Sequence, residues 1–193
     1  MRSKFVNHEV LERLRRSIGA EDWLPFEVAL QTGLRIGDVA ALPLSSIDES
    51  GDGYVIRYRA AKTGKYGEAA ISPELAVKLL RQKGDWLFPG RKSGTHITRQ
   101  ALWARLKAAC RRLGIDDKGL SPHSLRKCFA VAVRQREGFA AVRDALQHES
   151  DAVTRVYAYA DTIMRAASDE AIRWNEIEII VDYILERLAE KAD

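Results

Sequence analysis

A mainly α-helical protein carrying one small antiparallel β-sheet, class α+β, is expected from three observations. Apolar residues recur at three- and four-residue spacing in segment after segment of the 193 residues. Strand formers gather only between about residues 54 and 71. At 46% hydrophobic and 30% charged, the chain can bury a core and does not read as disordered.

In chain order, Asn7 caps a first helix whose Val10, Leu11, Leu14 and Ile18 share a face before Gly19. A second helix runs from near Asp22 to Thr32-Gly33. A third follows from about Ile36 to Leu42 and is closed by Pro43, which leaves Arg35 at their junction. The period then changes. Residues 54–59 and 68–71 read as strands, with Lys62-Thr63-Gly64-Lys65 as the hairpin tip between them. Ser72-Pro73 supplies a cap and a first-turn proline for a helix to about Gln82. Further helices are expected over 98–112 ahead of Gly114, then over 121–137, 139–147, 151–159 and 171–192. The last carries Ile177, Ile180, Val181, Ile184 and Leu188 on one stripe. With no repeat, low-complexity run or long linker, one domain over 1–168 is expected, followed by an amphipathic acidic helix over 169–193.

No apolar run approaches the roughly 20 residues that cross a bilayer, and the first residues lead into no signal-type stretch. A soluble, cytoplasmic protein without a membrane partner is therefore expected. Cys110 and Cys128 sit in helical stretches with no C-x-x-C motif or nearby histidine, and read as small core residues. The net charge of +4 hides an asymmetry: residues 169–193 hold eight acidic and three basic side chains, whereas 91–136 hold twelve basic and two acidic. A basic body with a separate acidic tail suits a polyanionic partner, most simply nucleic acid. Charge alone fits a solvated surface equally well.

Four features carry chemistry. In Ser121-Pro122-His123-Ser124-Leu125-Arg126, the histidine and arginine share a face in the first helical turn, where free N–H groups and the helix dipole favour an anion. Taken singly, the pair fits a capping histidine beside a surface arginine better. In Thr32-Gly33-Leu34-Arg35-Ile36-Gly37-Asp38, an arginine just after a glycine break can present a rigid fork to a phosphate, or can pair with Asp38. Lys62 is a flexible ammonium on the hairpin tip, or simply a solvated turn lysine. Finally, His148 at a helix end is followed nine residues later by Tyr157, a spacing able to bring an imidazole and a phenol to one phosphate.

The order of these boxes, Arg35 in TGLRIGDVAAL, Lys62 in KTGK, His123 and Arg126 in HSLR, His148 in LQH and then Tyr157, resembles the catalytic domain of the tyrosine recombinases, also called phage integrases. The likeness runs from about Asp22 to Tyr159 and implies the integrase catalytic-domain fold. Two departures are mild: Gln147 stands where a glycine is common, and Asp38 where glutamate is commoner.

The resemblance implies a site-specific DNA recombinase of integrase or invertase type that cuts and rejoins strands through a 3′-phosphotyrosyl intermediate. The Tyr157 phenolate attacks a backbone phosphorus and frees a 5′-hydroxyl, which later rejoins strands; no water and no cofactor are consumed. Arg35 and Arg126 would neutralise charge on the non-bridging oxygens, and His148 would donate to one of them. His123 would help remove the proton from a phenol whose ordinary pKa is about 10, and Lys62 would protonate the leaving oxygen. With two arginines in place of a cation and no carboxylate cluster, no metal is expected. Tyr159 is the competing nucleophile. Two helical residues turn a side chain by about 200°, so only one of the two tyrosines can face the phosphate, and family spacing selects Tyr157.

Double-stranded DNA is the implied partner, with self-association into a tetrameric synapse and a bacterial or phage-encoded, nucleoid-associated location. Lys65, Arg91, Lys92 and Arg99, together with Arg105, Arg111 and Arg112, are candidates to touch backbone phosphates. The acidic tail packs either into a neighbouring protomer or back on its own domain. Most family members carry an N-terminal domain that clamps the far side of the duplex, yet only about 21 residues precede the matching region here. The chain therefore reads either as part of a longer recombinase or as a short stand-alone enzyme. Two rivals remain at this level: a DNA-binding module without chemistry, and a strand-relaxing enzyme of the type IB topoisomerase kind.

Overall fold

The computed structural model describes residues 6, 8–51, 53–117 and 120–137, with side chains to residue 133. The chain divides into two compact units, residues 1–129 and 130–193, and the first holds nearly all the described residues. The helices expected over 139–147, 151–159 and 171–192, and the boundary at residue 168, lie outside them.

The helices start and stop where the local chemistry dictates. α1 (His8–Ile18) buries Leu14. α2 (Ala20–Thr32) ends because Gly33, at φ 65°, takes the left-handed conformation that closes a helix and donates its N–H to the Ala29 carbonyl. α3 (Ile36–Ala40) follows after three residues and stops two residues short of the expected Leu42. α4 (Pro73–Leu80) is capped by Ser72, whose hydroxyl accepts from the Leu75 N–H, while Gln31 of α2 accepts from the Ser72 N–H at 2.9 Å. α5 (Arg99–Leu113) is capped by Thr98 and closed by Gly114 at φ 64°. α6 spans Pro122–Glu137.

The sheet has three antiparallel strands in the order β1 (Ile47–Ser50), β2 (Gly53–Arg59), β3 (Tyr66–Ile71). Alternation turns Ile56 inward, fully buried, and Arg57 outward. β1 has no counterpart among the expected elements. Its sequence, Ile-Asp-Glu-Ser, has one apolar residue and weak strand propensity, so its conformation comes from pairing. Arg57 lies between Asp48 of β1 at 2.7 Å and Glu68 of β3 at 2.8 Å, a cross-strand charge ladder that also raises the guanidinium pKa.

The core is built from Leu14 of α1, Phe26 and Val28 of α2, Val39 of α3, Ile56 of β2, Leu75 and Leu79 of α4, Leu102 and Leu106 of α5, and Leu125 of α6. Cys110 and Cys128 belong to it as small apolar groups. Residues 81–98 cross this core without helix and are tacked down by antiparallel bridges from Pro43 to Trp86 and from Pro89 to His96. No described helix is long and apolar enough to cross a membrane.

Candidate active site

Arg35 is the N-cap residue of α3, half-buried at the point where the chain leaves the Gly33 turn. Its carbonyl accepts the Asp38 and Val39 N–H groups, so the backbone that carries the guanidinium is fixed by the helix it opens. Arg126, on the first turns of α6, donates through Nη1 to the carbonyl of Gly33, two residues from Arg35. α6 reaches this junction because Gly33 has no side chain: a Cβ there would lie 2.2 Å from Cδ1 of Phe129. The two arginines, 91 positions apart in sequence, are thus tied to one turn.

Asp38 does not pair with Arg35 among the described residues. It is buried, and its Oδ1 accepts the backbone N–H of Ala61 at 3.0 Å, one residue before Lys62. The hairpin tip closes on itself through Ala60 N–H to the Lys65 carbonyl (2.8 Å) and Gly64 N–H to the Ala60 carbonyl (2.7 Å), which leaves the Lys62 side chain exposed. A neutral-looking acidic position in the sequence therefore anchors the lysine loop to the arginine helix.

His123 opens α6 beside Arg126, its N–H donating to Ser121 Oγ at 3.2 Å. Burial holds its imidazole below the ordinary 6.5, and the positive charges of Arg126, Arg35 and Arg99 push it the same way. It is neutral at pH 7 and able to accept a proton. Sequence reasoning missed Tyr58, a half-buried residue on the inward face of β2. Burial raises its phenol pKa, opposed by Arg126 and Arg35, with Asp38 adding to the rise, so it sits in the field of the same groups. The available signal was the alternation from Ile56 to Tyr58 on the strand that leads to Lys62.

His148, Tyr157 and Tyr159 lie outside the described residues. Of the expected phosphate contacts, Arg105 is committed to Asp22 at 3.0 Å, and Arg112 to the Ser17 carbonyl at 2.7 Å and its hydroxyl at 3.2 Å. The side chains of Arg91, Lys92 and Arg99 are exposed and make no hydrogen bond or ion pair among the described residues, and Lys65 is exposed on the hairpin tip. Among the described residues, no three His, Cys, Asp or Glu side chains gather as metal ligands. Two guanidinium groups on one turn, an ammonium on a tethered loop and an uncharged imidazole suit a phosphodiester: charge neutralisation from the arginines, proton transfer from the other two.

The profile of the phage integrase family matches residues 4–164. The chain is 28% identical over 146 residues to the tyrosine recombinase XerD of Rhizobium meliloti, covering 69% of this chain and 45% of that protein. It is 27% identical over 173 residues to XerH of Campylobacter jejuni, covering 82% and 49%. The chain spans about half the length of these curated relatives. Among solved structures, the post-cleavage complex of XerH site-specific recombinase with palindromic difH substrate aligns with a TM-score of 0.67 at 22% identity, over 89% of this chain and 54% of that one. A lambda integrase tetramer bound to a Holliday junction aligns with a TM-score of 0.65 at 17% identity, over 81% and 48%. At these identities the likeness is one of fold.

Proposed function

The chain belongs to the phage integrase family, the tyrosine recombinases, and from that premise we propose that it cuts and rejoins double-stranded DNA at specific sites through a 3′-phosphotyrosyl intermediate. The observation that carries this reading is the binding of Arg126 to the Gly33 turn beside Arg35, with Lys62 tethered to the same helix through Asp38. In the reaction, the Tyr157 oxygen bonds to phosphorus as the bond to the 5′-oxygen breaks. Neutral His123 takes up the phenolic proton and Lys62 delivers one to the leaving 5′-oxygen. Arg35, Arg126 and His148 hold the non-bridging oxygens, whose charge grows in the transition state. Each such group contributes about 10²–10⁴-fold, so the rate comes from their joint placement.

Strand exchange needs more than one active site, so the protein acts as a multimer on DNA, for which the tetrameric arrangement of lambda integrase is the guide. DNA as substrate supports a bacterial or phage-encoded protein that works at the nucleoid. The test is a nicked suicide substrate, offered as a library of duplexes, followed by denaturing electrophoresis for a covalent adduct. The adduct is expected with the wild type and with Tyr159→Phe, and lost in Tyr157→Phe. The opposite pattern overturns the assignment of the nucleophile.

A further inference from the structure

A cleft of about 280 Å³ opens beside His123 and is not used by any step above. One side is apolar: Ile36, the residue after Arg35, with Trp103 of α5 and Pro122 of α6. The other is polar, formed by Arg99 and Gln100 at the start of α5, by Ser121 and by His123 itself. Trp103 is half-buried, and the ammonium of Lys107, itself paired with Asp117 at 3.1 Å, stands 5.2 Å from its ring centroid. Arg99 carries an exposed guanidinium with no side-chain partner among the described residues, and its charge reaches the His123 ring.

These features define the occupant. The volume lies at the lower edge of ligand cavities, roughly 300–1,000 Å³, which admits a single nucleotide-sized unit. The apolar wall suits a carbon skeleton, and the Arg99 fork with the Gln100 amide suits a phosphate. Because Ile36 and His123 wall the cleft, whatever fills it lies next to the phosphate that Arg35 and Arg126 hold. A base would first have to be unstacked from its duplex, a cost the backbone does not carry.

We propose that this cleft binds one deoxyribose-phosphate unit of the DNA backbone adjoining the scissile phosphate, its sugar against Trp103 and Pro122 and its phosphate on Arg99 and Gln100. The assignment rests on the recombinase reading for its substrate, but its test needs neither the target sequence nor the nucleophile. The ¹⁵N-labelled full chain is titrated with deoxythymidine 3′,5′-bisphosphate, with the Trp103 indole N–H signal identified by its loss in Trp103→Phe. That signal is expected to shift saturably. Arg99→Ala should weaken binding roughly tenfold, as loss of a charged hydrogen-bond donor does, while Tyr157→Phe leaves it unchanged. Arg99 is exposed and has no side-chain partner among the described residues, so its removal should leave the fold intact, which a melting curve checks. An unmoved Trp103 signal, an equal shift with inorganic phosphate alone, or equal affinity in Arg99→Ala overturns the proposal. Nucleotide binding without a covalent adduct on any DNA would overturn the recombinase reading and leave the cleft standing; an adduct without nucleotide binding would do the reverse.

Discussion

The carboxylate of Asp38 accepts the backbone N–H of Ala61 at 3.0 Å, and so ties the loop that carries Lys62 to the helix that Arg35 opens. The bond spans 23 residues of sequence and crosses from α3 to the end of β2. Its removal has two consequences that can be measured apart. Asp38→Ala deprives the amide of its acceptor and should cost about 1–3 kcal/mol in urea unfolding. It should also slow covalent adduct formation at saturating DNA, because Lys62 is no longer held near its partners. Asp38→Asn keeps a side-chain oxygen in place and should retain most of both. If the alanine variant cleaves as fast as the wild type, the tether does not position the lysine.

Gly33 joins three constraints at one residue: a left-handed φ of 65°, a carbonyl that receives Arg126, and a Cα against which the Phe129 ring packs. Gly33→Ala should therefore destabilise the fold by about 1–3 kcal/mol from backbone strain and overpacking together. Adduct formation should fall with it, since the Arg126 acceptor moves. Adding Phe129→Ala relieves the clash while the strained φ and a new cavity remain, so the double variant should stay less stable than the wild type. Full recovery in the double variant would mean that sterics alone explain the glycine.

The helices of residues 8–137 were legible because each is punctuated chemically: Gly19 and Gly33 between the first three, Ser72-Pro73 before α4, Thr98 and Gly114 around α5, Ser121-Pro122 before α6. β1 was not, because Ile47-Asp48-Glu49-Ser50 is a strand only through the partner it borders. The site was legible as residue types in order, whereas its wiring was not. That Asp38 serves Ala61 and, among the described residues, does not pair with Arg35, or that Arg105 and Arg112 reach Asp22 and Ser17, depends on contacts 23 or more positions away. Tyr58 escaped notice for the same reason, since a strand tyrosine reads as packing until the arginines are placed near it.

The two thiols should be chemically silent in the folded protein. Cys128 is 9% exposed, its thiol donates to the Val6 carbonyl at 3.3 Å, and burial raises its pKa to about 11. Cys110 is fully buried and raised by burial and by Asp117. The thiolate is the reactive form, and at pH 7.5 less than about one Cys128 in a thousand is ionised. A thiol reagent such as DTNB should label neither cysteine in the native state and both in guanidinium chloride, and cleavage should not depend on added reductant. Fast stoichiometric labelling of the native protein would show that the core around α6 opens far more readily than its packing indicates.

The imidazole of His123 is held below its ordinary 6.5, first by burial and then by Arg126, Arg35 and Arg99. A base must be uncharged, so the rate of adduct formation should stay level through neutral pH and fall only as the pH drops below 6.5. In the proposed reaction Arg35 and Arg126 hold the scissile phosphate itself, so Arg99 serves as the probe. Losing its charge makes the protonated imidazole less costly, so in Arg99→Ala the acid limb should move toward higher pH; at saturating DNA, raised ionic strength should act in the same direction by screening that charge. The same sign governs stability: with the folded pKa depressed, the unfolded chain binds the proton more readily, so the contribution of His123 is present above 6.5 and lost as the pH falls. An acid limb that stays fixed in Arg99→Ala, or moves to lower pH, would show that some other group titrates and that His123 is not the base.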